Sequence, residues 1–151
     1  MAGLLRIQNA LGRDDPVLVV SRHILERDRQ VYFHVGNRSH QYKDGRNRIL
    51  YIGTTSKGHS RLLSSLADSL ESGFDEWGVN EIEVHRISCI PRQKVKTWLK
   101  LERACLMVFR EIYGALPVLN KKGHKMQEDD EFEYFSRDTV ERTILRWARK
   151  T

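Results

Sequence analysis

The sequence predicts a mixed α/β domain built around one core, and three observations carry that reading. Apolar residues alternate with polar rings from Val31 to Val35, a second apolar run spans Arg48 to Gly53, and Glu81 to Ile87 alternates again, which is the period of strands. Leu62, Leu66 and Leu70, and later Val95, Trp98, Cys105, Phe109 and Ile112, fall at steps of three and four, the period of amphipathic helices. At 151 residues the chain is long enough to bury a single core without disulfide or metal staples.

Taken in order, residues 1–29 form an N-terminal extension in which Asp14-Asp15-Pro16 starts a helix leading into Val17-Leu18-Val19-Val20, although these β-branched residues also fit a strand. The strand at Val31–Val35 puts Tyr32 and His34 on one face. Gly36 to Asn47 is rich in turn formers and basic residues, including Asp44-Gly45, so the first two strands read as a hairpin with a long tip. Tyr32 and Tyr51 can then share a face.

Arg61 opens an amphipathic helix, Gly73 to Asn80 reads as a loop, and Pro91 starts the longest helix, which Gly114 stops after Tyr113. Residues 124–151 form a C-terminal extension. Its acidic run, Glu128-Asp129-Asp130-Glu131, reads as a solvated loop, and its last helix carries a stripe of Val140, Ile144 and Trp147. Packing of that stripe on the domain is the default, with a second copy of the chain as the alternative.

Lys+Arg 26 against Asp+Glu 20 gives a net charge of +6, which favours a polyanionic partner. Cys89 and Cys105 lie far apart in sequence and outside any metal-ligand spacing, so both read as reduced core residues. The sequence contains no membrane-length apolar stretch, and its first residues lack the pattern of a signal peptide. A cytoplasmic location is the expectation, with association with the nucleoid left open.

Two places suggest chemistry. Tyr51-Ile52-Gly53 ends a strand on a residue that allows close approach, and Arg61, ten residues on, adds fixed charge in a first helical turn, where anions are already favoured. Glu102 falls in phase with the apolar stripe of the long helix. An unpaired carboxylate there costs several kcal/mol to desolvate, so something must compensate it. The candidates are an ion pair with Arg61 or another arginine, a rim position that reaches water, or a hard divalent cation that takes carboxylate oxygen.

In order and approximate spacing, Gln30-Val31-Tyr32, Tyr51-Ile52-Gly53, Arg61, Glu102 and Leu119-Asn120 resemble the GIY-YIG nucleases, over residues 30–123. The resemblance implies a small α/β domain with a central three-stranded antiparallel sheet flanked by helices. It also implies metal-dependent endonuclease hydrolysis of DNA phosphodiester bonds, with RNA kept open as substrate. Glu102 would hold one Mg²⁺ or Mn²⁺ per active site, Arg61 would neutralise the phosphate, and Tyr51 or Tyr32 would activate or orient water. A tyrosine acting as base would need the metal, Arg61 or Lys57 to perturb it. Asn120 would support the edge of the site.

The chain departs from the family pattern at three points. Gln30 stands in place of the first motif's glycine. Ser65 stands where many members carry a histidine, a role that His34 or His59 would have to supply. The stretch from Tyr32 to Tyr51 is longer than usual. Arg38, Lys43, Arg46 and Arg48 on the hairpin, and Lys94, Lys96 and Lys100 beside the long helix, are candidates for phosphate contact. A homodimer would suit cutting both strands of a duplex. The alternatives are a noncatalytic nucleic-acid-binding module with the same fold and a protein-interaction domain that uses the Trp147 helix.

Overall fold

A computed structural model describes residues 29–56, 59–121 and 131–148. The helix read at Asp14-Asp15-Pro16, Lys57 and most of the acidic run lie outside the described residues. Three strands, β1 (Gln30–Tyr42), β2 (Gly45–Thr55) and β3 (Ile82–Ser88), form one antiparallel sheet in the order β2-β1-β3. Three helices accompany it: α1 (His59–Asp75), α2 (Thr97–Tyr113) and α3 (Arg137–Leu145). The expected three-stranded antiparallel sheet in a mixed α/β domain is therefore present, with β1 at its centre.

The long hairpin tip is absent. β1 runs on through Tyr42 and turns tightly over Lys43 and Asp44 into Gly45. The turn formers at Gly36–Ser39 instead occupy a wide irregularity in β1, because the pairing jumps from Val35↔Ile49 to His40↔Asn47. There Asn37 donates its backbone N–H to Glu81 O and accepts the Asn80 N–H on its side chain, so the excursion is tied to the segment before β3.

A second irregularity matters more for packing. His34 pairs with Tyr51 and Val35 with Ile49, which leaves Leu50 as an extra residue in β2. The bulge lets Ile49 and Ile52, three positions apart, both enter the main core, which strict alternation would forbid. That core joins Val31, Phe33 and Val35 of β1 to Leu106 and Phe109 of α2 and to Val140, Ile144 and Trp147 at α3. Burying each of the larger apolar side chains contributes about 1.5–3 kcal/mol.

The Trp147 stripe thus packs on the domain. The Phe33 and Trp147 rings lie 5.2 Å apart, Asn47 Nδ2 donates to Ile144 O, and Arg48 N–H donates to Trp147 O. This removes the basis for a free Trp147 interaction helix. Glu131, read as part of a solvated loop, is buried and pairs with Arg103 at 3.6 Å.

Pro91 does not open α2. Arg92 and Val95 bridge across a tight turn in which Gln93 adopts φ 53, and the helix starts only at Thr97, whose hydroxyl donates to Ile90 O. Its end is as expected: Gly114 takes the left-handed conformation at φ 72 and returns its N–H to Arg110 O. Cys89 and Cys105 are free thiols in the core, and burial raises the pKa of both. Among the described residues no helix is long and apolar enough to cross a membrane.

Candidate active site

α1 covers the face of the sheet opposite the main core. It meets that face through a stripe on which hydroxyls stand beside its leucines. Leu62, Leu66 and Leu70 are only half-buried, whereas Ser69 is buried. Ser65 Oγ shares a hydrogen bond with the Tyr32 hydroxyl at 2.8 Å, and Ser69 Oγ shares one with His34 Nδ1 at 2.6 Å. Four residues of helix rise about 6 Å, and two residues of strand about 6.6 Å, so the two pairs are in step. This matched spacing is present in the sequence, where Ser65 and Ser69 stand beside the leucine stripe.

The Tyr32, His34 and Tyr51 rings form one cluster. Tyr32 stacks on His34 at 5.4 Å, and Tyr51 lies 5.2 Å from His34 and 6.1 Å from Tyr32. Gly53, directly opposite Tyr32 in the sheet, makes the cluster possible. A Cβ there would sit 2.5 Å from Tyr51 Cε1 and 2.8 Å from Tyr32 Cζ and its hydroxyl oxygen, closer than packed atoms tolerate. The sequence suggests a glycine at a strand end that leaves room for close approach. It lies inside β2, and two tyrosine rings take its space.

Tyr32 and His34 are fully buried. Burial pushes the Tyr32 phenol up to about 12, against the Ser65 hydrogen bond that lowers it, and pushes His34 down to about 4. Near neutral pH the phenol therefore keeps its proton and the imidazole carries no charge. Tyr51 lines an open cleft of about 720 Å³ together with Arg61, Ser65, Asp68, Glu102 and Asn120.

Glu102 is 8% exposed, and burial pushes its carboxyl up to about 7 against the attraction of Arg103 and Arg61. Among the described residues it forms no salt bridge, with Arg61 or with any other cation. Of the three explanations for a carboxylate on this stripe, the ion pair is absent, and a rim position in free water does not match its burial. What remains is a carboxyl at the wall of a cleft, ready to ionise when positive charge arrives.

Such a donor fits a hydrated Mg²⁺ or Mn²⁺, which keeps water and substrate oxygens in most positions and needs one or two carboxylates. It does not fit a cage of protein ligands, since no three His, Cys, Asp or Glu side chains converge among the described residues.

Asn120 builds the outer wall of the cleft. Its amide accepts the Ile52 N–H at 3.0 Å and donates to Ile52 O at 2.8 Å, while Leu119 N–H donates to Leu50 O. The side chain therefore acts as one more strand residue beside β2, and holds Tyr51 and Gly53 in register from the open edge. Arg61 is exposed in the first turn of α1, with no acidic residue in that turn to neutralise it. The side chain of His59, at the start of the same helix, is outside the description.

The basic hairpin residues lie elsewhere. Arg38, Lys43 and Arg46 are exposed and Arg48 is half-buried, but Asp44 N–H donates to Tyr113 O, which docks the turn on the far end of α2. From Glu102 to Tyr113 that helix rises about 16 Å. His40 and Tyr42 of the same hairpin are buried, and the Tyr42 hydroxyl donates to Ile49 O. The structure thus brings together Tyr51, Arg61, Glu102 and Asn120, with Tyr32 and Gly53 immediately behind, and leaves the hairpin cations apart. Comparison with protein-family models, with curated proteins and with solved structures finds no match.

Proposed function

We propose that this protein is a metal-dependent DNA endonuclease of the GIY-YIG type. The observation that carries the reading is Glu102, a buried carboxyl without a salt-bridge partner among the described residues, which shares one cleft with Arg61 and Tyr51. Net charge +6 supports a polyanionic substrate.

Glu102 would hold Mg²⁺ or Mn²⁺, and the chemistry such an ion would supply there is positive charge against the leaving group of the scissile phosphate. Arg61, fixed in the first turn of α1, neutralises the phosphate oxygens as charge builds on them, and its guanidinium can pair with two of them at once. Tyr51 is the tyrosine that orients the attacking water, because its ring faces the cleft while Tyr32 is sealed behind it. Tyr32 and His34 hold the Tyr51 ring from the rear, Ser65 and Ser69 fix those two rings to α1, and Asn120 fixes the β2 edge. The substrate's phosphate enters a wall already in place, so little ordering is left for the moment of reaction.

The test is Glu102→Ala with Mg²⁺ and a panel of DNA substrates that includes plain duplex, branched and single-stranded forms. Cleavage should fall by about 10²-fold or more, the size of effect seen when one charge-stabilising group is removed from an active site. Cleavage at the wild-type rate would remove Glu102 from the mechanism. Tight DNA binding without turnover in the wild type would favour the noncatalytic binding module.

A further inference from the structure

Beside the cleft, between the end of β2, α1 and α2, runs a second groove of about 560 Å³ that shares Thr54, Arg61 and Leu99 with it. Its lining carries the hydroxyls of Thr55, Ser56, Ser60 and Ser64 beside apolar surface to which Trp98 and Leu99 contribute. Arg61 is the one ionisable residue among the described residues that line it, and stands where groove and cleft meet. Ser60 and Ser64 lie one turn apart on the same face of α1. Both are exposed, and neither hydrogen-bonds a described residue, in contrast to Ser65 and Ser69, which are committed to the ring cluster.

Serine is only a middling helix former, because its hydroxyl competes for backbone groups. Two exposed serines at this spacing add nothing to the packing of α1, and what they offer is a row of neutral donors and acceptors. We propose that this groove is the track for the DNA strand flanking the scissile phosphate, with Ser60 and Ser64 hydrogen-bonding phosphate and sugar oxygens and Trp98 supporting the apolar side of the deoxyribose. Such contacts position a backbone without reading its sequence. The identity of the flanked phosphate rests on the endonuclease reading, whereas the affinity of the groove does not.

The experiment measures binding of a short fluorescent DNA oligonucleotide, single-stranded and duplex, by anisotropy in EDTA across a KCl series. Ser60→Ala/Ser64→Ala should weaken binding about 5- to 100-fold, the equivalent of two hydrogen bonds. Its salt slope should match the wild type, because a hydroxyl displaces no counterion, while Arg61→Ala should lower the slope by about one. Ser64→Leu, which fills the groove, should weaken binding at least as much. Alanine and leucine both favour helix at these exposed positions, so loss of fold does not compete as an explanation.

Unchanged affinity in both serine variants overturns the track, as does a wild type that binds no DNA. Binding that depends on the groove in a wild type that never cleaves upholds the track and rejects the endonuclease reading.

Discussion

The two faces of β1 are equally buried and chemically opposite. Val31, Phe33 and Val35 point into an apolar core shared with α2 and α3, whereas Tyr32 and His34, alternating with them, point into a polar cluster beneath α1. One face is held by contact area, which is large and tolerant of detail. The other is held by a few hydrogen bonds and ring contacts whose geometry must be met closely. The first supports the fold, and the second aims Tyr51 into the cleft. A strand buried on both sides can therefore keep a stable scaffold and a directed side chain within the same few residues.

The sharpest way to separate the faces is to empty the first. Phe33→Ala removes a ring packed on Trp147 and should cost about 3–5 kcal/mol of stability, read from urea unfolding. A cost below about 1 kcal/mol would mean that this face collapses easily and that the contrast is false.

The next test concerns charge. Native Glu102 keeps its proton up to about pH 7, whereas the unfolded chain loses it near 4.5, so its contribution to stability is full below pH 4.5 and is lost as pH rises through 7. His34 works the other way. It stays unprotonated down to about pH 4 when folded but gains a proton near 6.5 when unfolded, so its contribution is present above pH 6.5 and is lost as pH falls toward 4. Across the shared window the two oppose each other, each by about 3 kcal/mol at most.

Glu102→Gln leaves the histidine's effect exposed. In metal-free buffer the stability difference between variant and wild type should shift by about 3 kcal/mol between pH 4.5 and pH 7, with the wild type gaining on acidification. A difference independent of pH would show an ionised Glu102 in the folded protein.

The smallest effect belongs to Gly53. An added methyl collides with both tyrosine rings, so Gly53→Ala should cost about 1–3 kcal/mol by overpacking, again from urea unfolding. Unchanged stability would mean that the rings slide freely and that the polar face is less exacting than described.

The apolar face was the more legible one. The alternation of Val31, Phe33 and Val35 and the stripe of Trp98, Cys105 and Phe109 follow directly from period, and Gly114 marked the helix end that the structure shows. Glu102 stood out because it breaks that pattern. The polar face was harder to read, since Ser65 and Ser69 stand beside half-buried leucines on α1, and helical period alone does not tell which rings their hydroxyls meet. The Gly36–Asn47 stretch misled for a related reason. Turn-forming residues also build bulges, and only pairing partners tell a wide bulge from a long loop. Pro91 could have begun a helix, but the bridge from Arg92 to Val95 holds the next turn in another shape.

Asn120 has a consequence beyond the cleft. β2 is an outer strand of the sheet, and an outer strand with free backbone groups is a template on which other chains can polymerise. Here Arg48 N–H is taken by Trp147, Leu50 O by Leu119, and both Ile52 groups by the Asn120 amide. The contacts that frame the cleft wall also blunt that edge, so the Asn120 amide serves the cleft and closes part of the open strand at once.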